Sequence, residues 1–534
     1  MLAISYLIPY NWFYCFSVSV SIPFSLKNEM TKKTTRRRFF EDSLLTAAAM
    51  ASVTGMAPLL RPRSASAQVA ANDKLGVMIV GCGGRGGDHI NAFQSDPRTV
   101  ILYLCDPEPT RVSDRRLNEI AEKQGGIKPK AVKDMREAFA DTNLDIVSCA
   151  SANHWHALTG VWAIQAGKHC YIEKPGSHNI HEGQALTAAS KKYNKVVQIG
   201  TQCRTNKANI DAVEFTRAGG IGEVKFARGL CYKRRASIGP LGEYPIPTTV
   251  DYDLWSGPAP IMPMTRPQFH YDWHWQRLYG NGDMGNQGPH QADIARWHLG
   301  VERHPNSVIT YGGRLGYQAE KQDDRYVDAG DTANTEVSIF DYGDKCMVFE
   351  TRGLETPELK GPNDKGRGAK VGVIVYGSEG FLVQIEYNFS VAFDLEGNII
   401  KEFRGGGNHY TNFIDAVIKE DPNAVTATAR CGALSAGISH LGNISYYLGE
   451  ENKISADELR RQLAGVKSLD NNLETLERTL EHLTINGVDL AKTPMSLGPM
   501  LKFDSDKEVF INNDEANKML TRDYREPFVV PAIS

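Results

Sequence analysis

Nine cysteines in 534 residues form no C-x-x-C pair and no regular spacing, which removes zinc ribbons and disulfide frameworks from consideration. Cys82, Cys105, Cys149 and Cys170 each fall in or beside an apolar run and read as small buried thiols. The net charge is only -3, and no basic block occurs outside the N-terminus, so a nucleic-acid binder is disfavoured. No G-K-[ST] follows any glycine cluster, which excludes a P-loop. Internal repeats and low-complexity blocks are lacking too, so the chain is not a solenoid. What is present is 41% hydrophobic and 23% charged residues, enough for two or three cored domains.

The organising stretch is Lys74 to Phe93. An apolar run, Leu75-Gly76-Val77-Met78-Ile79-Val80, leads into Gly81-Cys82-Gly83-Gly84-Arg85-Gly86 and then into an amphipathic pattern. Gly81, Gly83 and Gly86 stand at G-x-G-x-x-G spacing, which predicts a strand, a tight turn and a helix N-terminus around a dinucleotide pyrophosphate. Gly84 and Arg85 fall inside that turn and are grouped with it as cofactor contacts. The next apolar run ends at Asp106, 20 residues after Gly86, where a carboxylate would hold an adenosine ribose diol. That favours NAD, while Arg111 keeps NADP open.

Strand and helix patterns then alternate. Residues 144–150 read as a buried strand, 157–166 as a helix stopped by Gly167, and 169–172 as a strand. This alternation predicts a doubly wound parallel sheet, with ligands beyond the carboxyl ends of its strands. Asn153, His156, Glu173 and Lys174 fall at such ends.

The glycine turn, Asp106, Asn153-His154-Trp155-His156, Ala166-Gly167-Lys168-His169 and Glu173-Lys174-Pro175 together resemble the glucose–fructose oxidoreductase/inositol dehydrogenase family (Gfo/Idh/MocA). The resemblance spans about residues 74–450. It implies a Rossmann domain followed by an α/β domain with a large open, mainly antiparallel sheet, a homo-oligomer, and oxidation or reduction of a hydroxyl carbon on a small sugar, glycoside or polyol. It implies Lys174 as a catalytic group, since a base must reach the hydroxyl as hydride leaves. A partly desolvated lysine near a positive nicotinamide has its neutral form favoured.

The substrate half alternates from Val224 to Tyr232, at 336–340 and at 371–377, which predicts further sheet. Phe269-His270-Tyr271-Asp272-Trp273-His274-Trp275 could line a carbohydrate site or plug a core under a loop, with His274 its candidate site residue. Loose glycine-rich chain from Tyr279 to Pro289 gives way to a helix near His290, with Asp293 and Trp297 on the same side. This segment resembles the family's second active-site segment, in which an aspartate stands four residues before the histidine. Here that position holds Asn286, which orients but exchanges no proton at neutral pH. Proton transfer is therefore assigned to Lys174 and His290, and substrate hydrogen bonds to His274, Asn286 and Asp293. His154-x-His156 and His290-x-x-Asp293 resemble metal-ligand spacings, but hydride transfer needs no metal, and none is expected. The same parts would serve an NAD-dependent glycosidase or lyase acting by transient oxidation, or a sugar-binding protein without turnover.

The N-terminus reads as an address. Thr35-Arg36-Arg37-Arg38-Phe39-Phe40 matches a twin-arginine export signal, an apolar segment covers 44–60, and Ala65-Ser66-Ala67 is a cleavage site. Met30 is a natural start, which makes residues 1–29, apolar but broken by Pro9, Asn11 and Pro23, an untranslated leader. The expected plan is 30–67 signal, 72–200 NAD(P)-binding domain, 201–450 substrate domain, and 451–534 a C-terminal helix (455–463) and extended tail. Twin-arginine machinery exports folded proteins to the periplasm, so a dinucleotide loaded before export would have to be held tightly.

Overall fold

The computed structural model describes residues 74–356 and 370–533. The twin-arginine segment, its cleavage site, Met30 and residues 1–29 lie outside the described residues. Two sheets belong to one compact unit, Val69–Ser534.

The first sheet comprises β1 (Leu75–Val80), β2 (Thr99–Cys105), β3 (Lys130–Val132), β4 (Leu144–Cys149), β5 (His169–Ile172) and β6 (Val197–Ile199). Its pairs are all parallel, in the order β3-β2-β1-β4-β5-β6. β1 is apolar throughout rather than alternating because both of its faces are covered. Val77 and Ile79 enter one core with Ile90 and Phe93, while Met78 and Val80 enter another with Leu158 and Val161. Chain order reverses between β1 and β4, and a crevice opens there beyond the strand ends.

Two glycines fix the turn at that crevice. Gly81 has φ +80°, and a Cβ on it would lie 2.6 Å from the Ser151 amide nitrogen. A Cβ on Gly86 would lie 1.9 Å from the carbonyl oxygen of Gly81, so the helix Gly84–Ser95 rests directly on the turn.

The second sheet comprises β7 (Val224–Tyr232), β8 (Ser307–Gly313), β9 (Thr335–Asp341), β10 (Cys346–Arg352), β11 (Lys370–Gly377), β12 (Gly380–Glu386), β13 (Phe389–Asp394), β14 (Ile399–Arg404), β15 (Lys453–Ile454), β16 (Met495–Leu497), β17 (Leu501–Asp504) and β18 (Val509–Phe510). Its order is β14-β13-β12-β11-β7-β10-β9-β8-β16-β15, with β17 also on β8 and β18 on β17. β7 and β10 are parallel; the other pairs are antiparallel. Helices Gly288–Leu299 and Ala429–Leu448 cover one face, packing Ala292, Ala295, Ile438 and Leu441 on Phe340, Met347 and Val373. Val337 and Ile339 point the other way, against Leu459, Leu476 and Leu480.

Those leucines correct the expectation of one helix after residue 450. A second helix, Asn472–Ile485, follows Ala456–Ala464, started by the Asn471 side chain accepting from the Glu474 amide. Residues 279–289 are also more ordered than expected. Gly282–Asn286 is a helical turn, and the next helix starts at Gly288 with Pro289 in its first turn, where its missing N–H costs nothing.

Between β7 and Gly282 the chain leaves the second sheet and straps across the first. The Asp251 amide donates to the Pro107 carbonyl (2.9 Å), and Thr249 donates to Glu108 (3.0 Å). At the other end the Trp155 indole donates to the Trp255 carbonyl (3.0 Å). The C-terminal tail fastens this strap, since Arg525 donates to Asp253 (2.7 Å) and Phe528 packs on Trp155 and Trp162.

Candidate active site

A cavity of about 890 Å3 runs from the glycine turn, past Asp106, to the second sheet. Gly81, Gly83, Gly84, Arg85, Asp106, Asn153, His156, Glu173, Lys174, His274, Asn286 and His290 line it. Gly86 and Asp293 do not.

The glycine end fits a dinucleotide. Helix Gly84–Ser95 has no side chain capping its first turn, so its amides and dipole are left for an anion. At the end of β2, Asp106 is buried, accepting from the Cys82 amide (2.8 Å) and the Glu108 amide (3.0 Å). Burial pushes its carboxyl up, while those two amides pull it down. A carboxylate has further lone pairs for a diol. Arg111 is drawn to Glu108 (2.7 Å), and His270 reaches the same carboxylate (3.0 Å). Asn153 is buried, and its Oδ1 has no partner among the described residues. An open helix start, a carboxylate with lone pairs to spare and an orphaned amide oxygen are what a nicotinamide dinucleotide would occupy.

At the end of β5, Glu173 is buried and takes four hydrogen bonds. It accepts from Arg85 (2.8 Å), Gln202 (2.8 Å), His89 (3.3 Å) and the Lys174 amide (3.2 Å). Burial would raise its pKa, but His89, Arg85 and Lys174 hold it well below the usual carboxylate range. Glu173 is thus a fixed negative charge at the root of Lys174, with three of these bonds on Oε1 and only the Lys174 amide on Oε2.

The Lys174 ammonium donates to both oxygens of Asn286, the carbonyl at 2.6 Å and Oδ1 at 3.2 Å. Desolvation pushes its pKa down to about 8; Glu173 opposes this, and Arg85, Arg235 and Lys233 reinforce it. His290 presents an Nδ1 with no partner among the described residues. Burial and the Lys174 charge lower it to about 3, so the ring is neutral. His274 stacks on Trp273 (3.6 Å between centroids) with Nδ1 at the Tyr271 carbonyl, and burial lowers it to about 3.

His156 lines the cavity with its ring between two carbonyls, Pro175 (2.6 Å) and Ser151 (3.0 Å), and so positions the turn that carries Lys174. Both nitrogens of His154 face the carbonyls of Trp255 (3.0 Å) and Tyr279 (3.3 Å). Each neutral ring has one N–H, which donates to one of its two carbonyls, and no group of three or more metal-ligating side chains occurs among the described residues.

Asp293 lies outside the lining of the cavity. Its carboxylate is fully buried in a two-point bond from Arg204 (2.8 and 2.9 Å), accepts from Ser435 (2.7 Å), and lies 3.9 Å from Arg296. Helix Gly288–Leu299 is buried nearly all round, so sharing a side with His290 does not reach the cavity. Asp293→Ala leaves two buried guanidiniums short of a counter-charge. The expected cost is about 3–5 kcal/mol in urea unfolding; an unchanged midpoint would show that the pair is not needed.

Other residues here carry no sequence signal. Gln202 holds Glu173, Tyr387 faces His290 (5.7 Å between centroids), and Arg235 is paired with Asp283 (2.9 Å). Each arrives from a distant turn or strand end.

A family model, GFO_IDH_MocA, described as an oxidoreductase family with an NAD-binding Rossmann fold, matches residues 75–201. Levoglucosan dehydrogenase of Pseudarthrobacter phenanthrenivorans is 25% identical over 241 residues, 44% of this chain and 54% of that protein. Glycosyl hydrolase family 109 protein 1 of Bacteroides thetaiotaomicron is 30% identical over 159 residues, 29% of this chain and 33% of that protein. The chain therefore spans about half the length, or less, of these curated relatives. An oxidoreductase domain protein from Kribbella flavida shares the fold with a TM-score of 0.50 at 16% identity, over 69% of this chain and 96% of that one. Residues 75–201 thus form a Rossmann fold that matches the NAD-binding domain of this oxidoreductase family.

Proposed function

We propose that the protein is an exported NAD-dependent oxidoreductase. It moves hydride between a hydroxyl carbon of a sugar, glycoside or polyol and a cofactor that stays bound. The observation that carries this reading is the meeting of Lys174 and His290 in one cavity continuous with the glycine turn and Asp106. Bound NAD supplies a two-electron acceptor for the carbinol hydride. The hydroxyl proton must then go to the protein. Lys174 in its neutral form takes it at Nζ, and Asn286 aims that nitrogen. His290, neutral, offers one N–H or one lone pair to the same oxygen. Glu173 keeps its charge throughout and holds the lysine's root.

The strap supports a cofactor that stays, since it is tied to Glu108 at one end of the cleft and to Trp155 at the other. Export rests on residues 35–40 and 65–67. The match to a levoglucosan dehydrogenase supports a cyclic polyhydroxylated substrate. A second reading has a specific observation behind it, the match to a glycosyl hydrolase. There a glycoside would be oxidised, lose its aglycone by elimination, take up water across the resulting double bond and be reduced again, with no net redox change.

The test is to purify the exported protein, denature it, and assay the supernatant for released NAD and NADP. The loaded enzyme is then given levoglucosan, myo-inositol and nitrophenyl glycosides, each with and without a soluble quinone to reoxidise the bound cofactor. An accumulating keto product supports the dehydrogenase; nitrophenol without a keto product supports the second reading. A protein that releases neither dinucleotide and binds neither would overturn both.

A further inference from the structure

The turn between β12 and β13 brings Tyr387 into the cavity beside Lys174, Asn286 and His290. This turn is held firmly. The Tyr387 carbonyl accepts from the side-chain amides of Asn206 (3.0 Å) and Asn209 (2.8 Å), and Asn209 in turn accepts from Gln384 (2.8 Å). The Tyr387 ring lies beside His290, and its phenol oxygen accepts from Gln287 Nε2 at 2.6 Å. Gln287 follows Asn286 in the chain, and its Nε2 also donates to Gln291 Oε1 (3.1 Å). The phenol, the Lys174 anchor and the His290 ring are therefore placed by one short stretch of chain.

A phenol has one proton to give. At Tyr387 an amide N–H already occupies the acceptor side, so the O–H is directed elsewhere. The Gln291 side chain also meets the phenol and, like Gln287, favours its oxygen as an acceptor; the Tyr387 side chain, 40% exposed, borders the cavity. Burial pushes its pKa up, so it remains a donor across the physiological range.

We infer that Tyr387 is a substrate-specificity residue, whose O–H donates to a sugar hydroxyl oxygen other than the one being oxidised. The reacting oxygen belongs to Lys174 and His290. A second, rigidly placed donor fixes which carbon faces them. This inference rests on the sugar-oxidoreductase reading above. The alternative for Tyr387 is a merely structural wedge against His290.

The experiment uses the NAD-loaded enzyme with a soluble quinone as electron acceptor and levoglucosan, myo-inositol and D-glucose as substrates, followed by monodeoxy analogues of whichever is turned over fastest. Tyr387→Phe should lower kcat/KM about tenfold, chiefly through KM, as expected for loss of one neutral hydrogen bond. One monodeoxy analogue should be about tenfold worse than its parent with the natural enzyme and no worse again with Tyr387→Phe, the mark of a direct pair. Gln287→Glu turns the donor at the phenol into an acceptor, draws the O–H away from the sugar, and should cost a similar factor. Cofactor content and thermal midpoint should not move in Tyr387→Phe. If the natural enzyme works while Tyr387→Phe stays within twofold, or loses activity equally with every analogue, the inference is overturned and the oxidoreductase reading stands. If the natural enzyme turns over none of the three sugars, both fall.

Discussion

Lys174→Met should reduce sugar oxidation by about 10²–10⁴-fold, the usual weight of a general base, while the protein keeps its NAD and its melting temperature. The side chain ends in the cavity with its nitrogen on the two oxygens of Asn286, and the methionine stem fills the same space. Lys174→Arg should fail almost as badly. A guanidinium keeps the charge but never the neutral form, so it cannot accept the proton. The natural enzyme should report the same group through pH. Lys174 is pushed down to about 8, and as a base it works only when neutral. Oxidation should therefore rise about tenfold per pH unit below that point and level off above it. Glu173 and His290 titrate too low to bend the profile between pH 6 and 9. Initial rates across that range, with cofactor content checked at each pH, make the measurement. A Lys174→Met enzyme within tenfold of the natural rate would remove Lys174 from the chemistry and leave His290 as the base.

The glycine turn, Asp106, the strand ends and Glu173-Lys174-Pro175 were legible because each is local. A few residues in sequence fix the backbone, and the parallel sheet brings its strand ends to one crevice. The second sheet was legible as alternating strands, not as an order. β7 lies between β10 and β11, which come far later in the chain, and no local pattern encodes that pairing. Asp293 shows the limit of helical spacing. Counting three residues from His290 gives a shared side, but nothing in the count says that Arg204, from another helix end, waits there. Tyr387 shows the reverse case, a residue in a hairpin turn with no motif, carried into the cavity by two asparagines on a separate helix. The seven-residue aromatic run divides between both readings offered for it. Phe269 and Trp275 are buried in small cores, while Tyr271, Trp273 and His274 line the cavity.

Gly86→Ala should abolish stable NAD loading, whereas Gly84→Ala, two residues away in the same turn, should leave the protein folded. Composition treats the two glycines alike; their surroundings do not. A methyl group on Gly86 would sit 1.9 Å from the Gly81 carbonyl oxygen, and backbone on both sides leaves no flexible atom to give way. Relief requires lifting helix Gly84–Ser95 off the turn, which withdraws the amides that would meet the pyrophosphate. Gly81 cannot yield in turn, because its own φ of +80° and the Ser151 amide pin it. At Gly84 a methyl group meets nothing within 4 Å of the protein, so any loss there reflects only crowding of the cofactor itself. The measurement is the NAD released on denaturing each purified variant, set beside its thermal unfolding with and without added NAD. For Gly86→Ala we expect binding weaker by at least about 10²-fold, the scale of an overpacked site that costs 1–3 kcal/mol or more and loses its anion contacts as well. If Gly86→Ala kept a full complement of NAD, the helix would not be resting on the turn as described, and the grip on the cofactor would have to come from the strap and Asp106 alone.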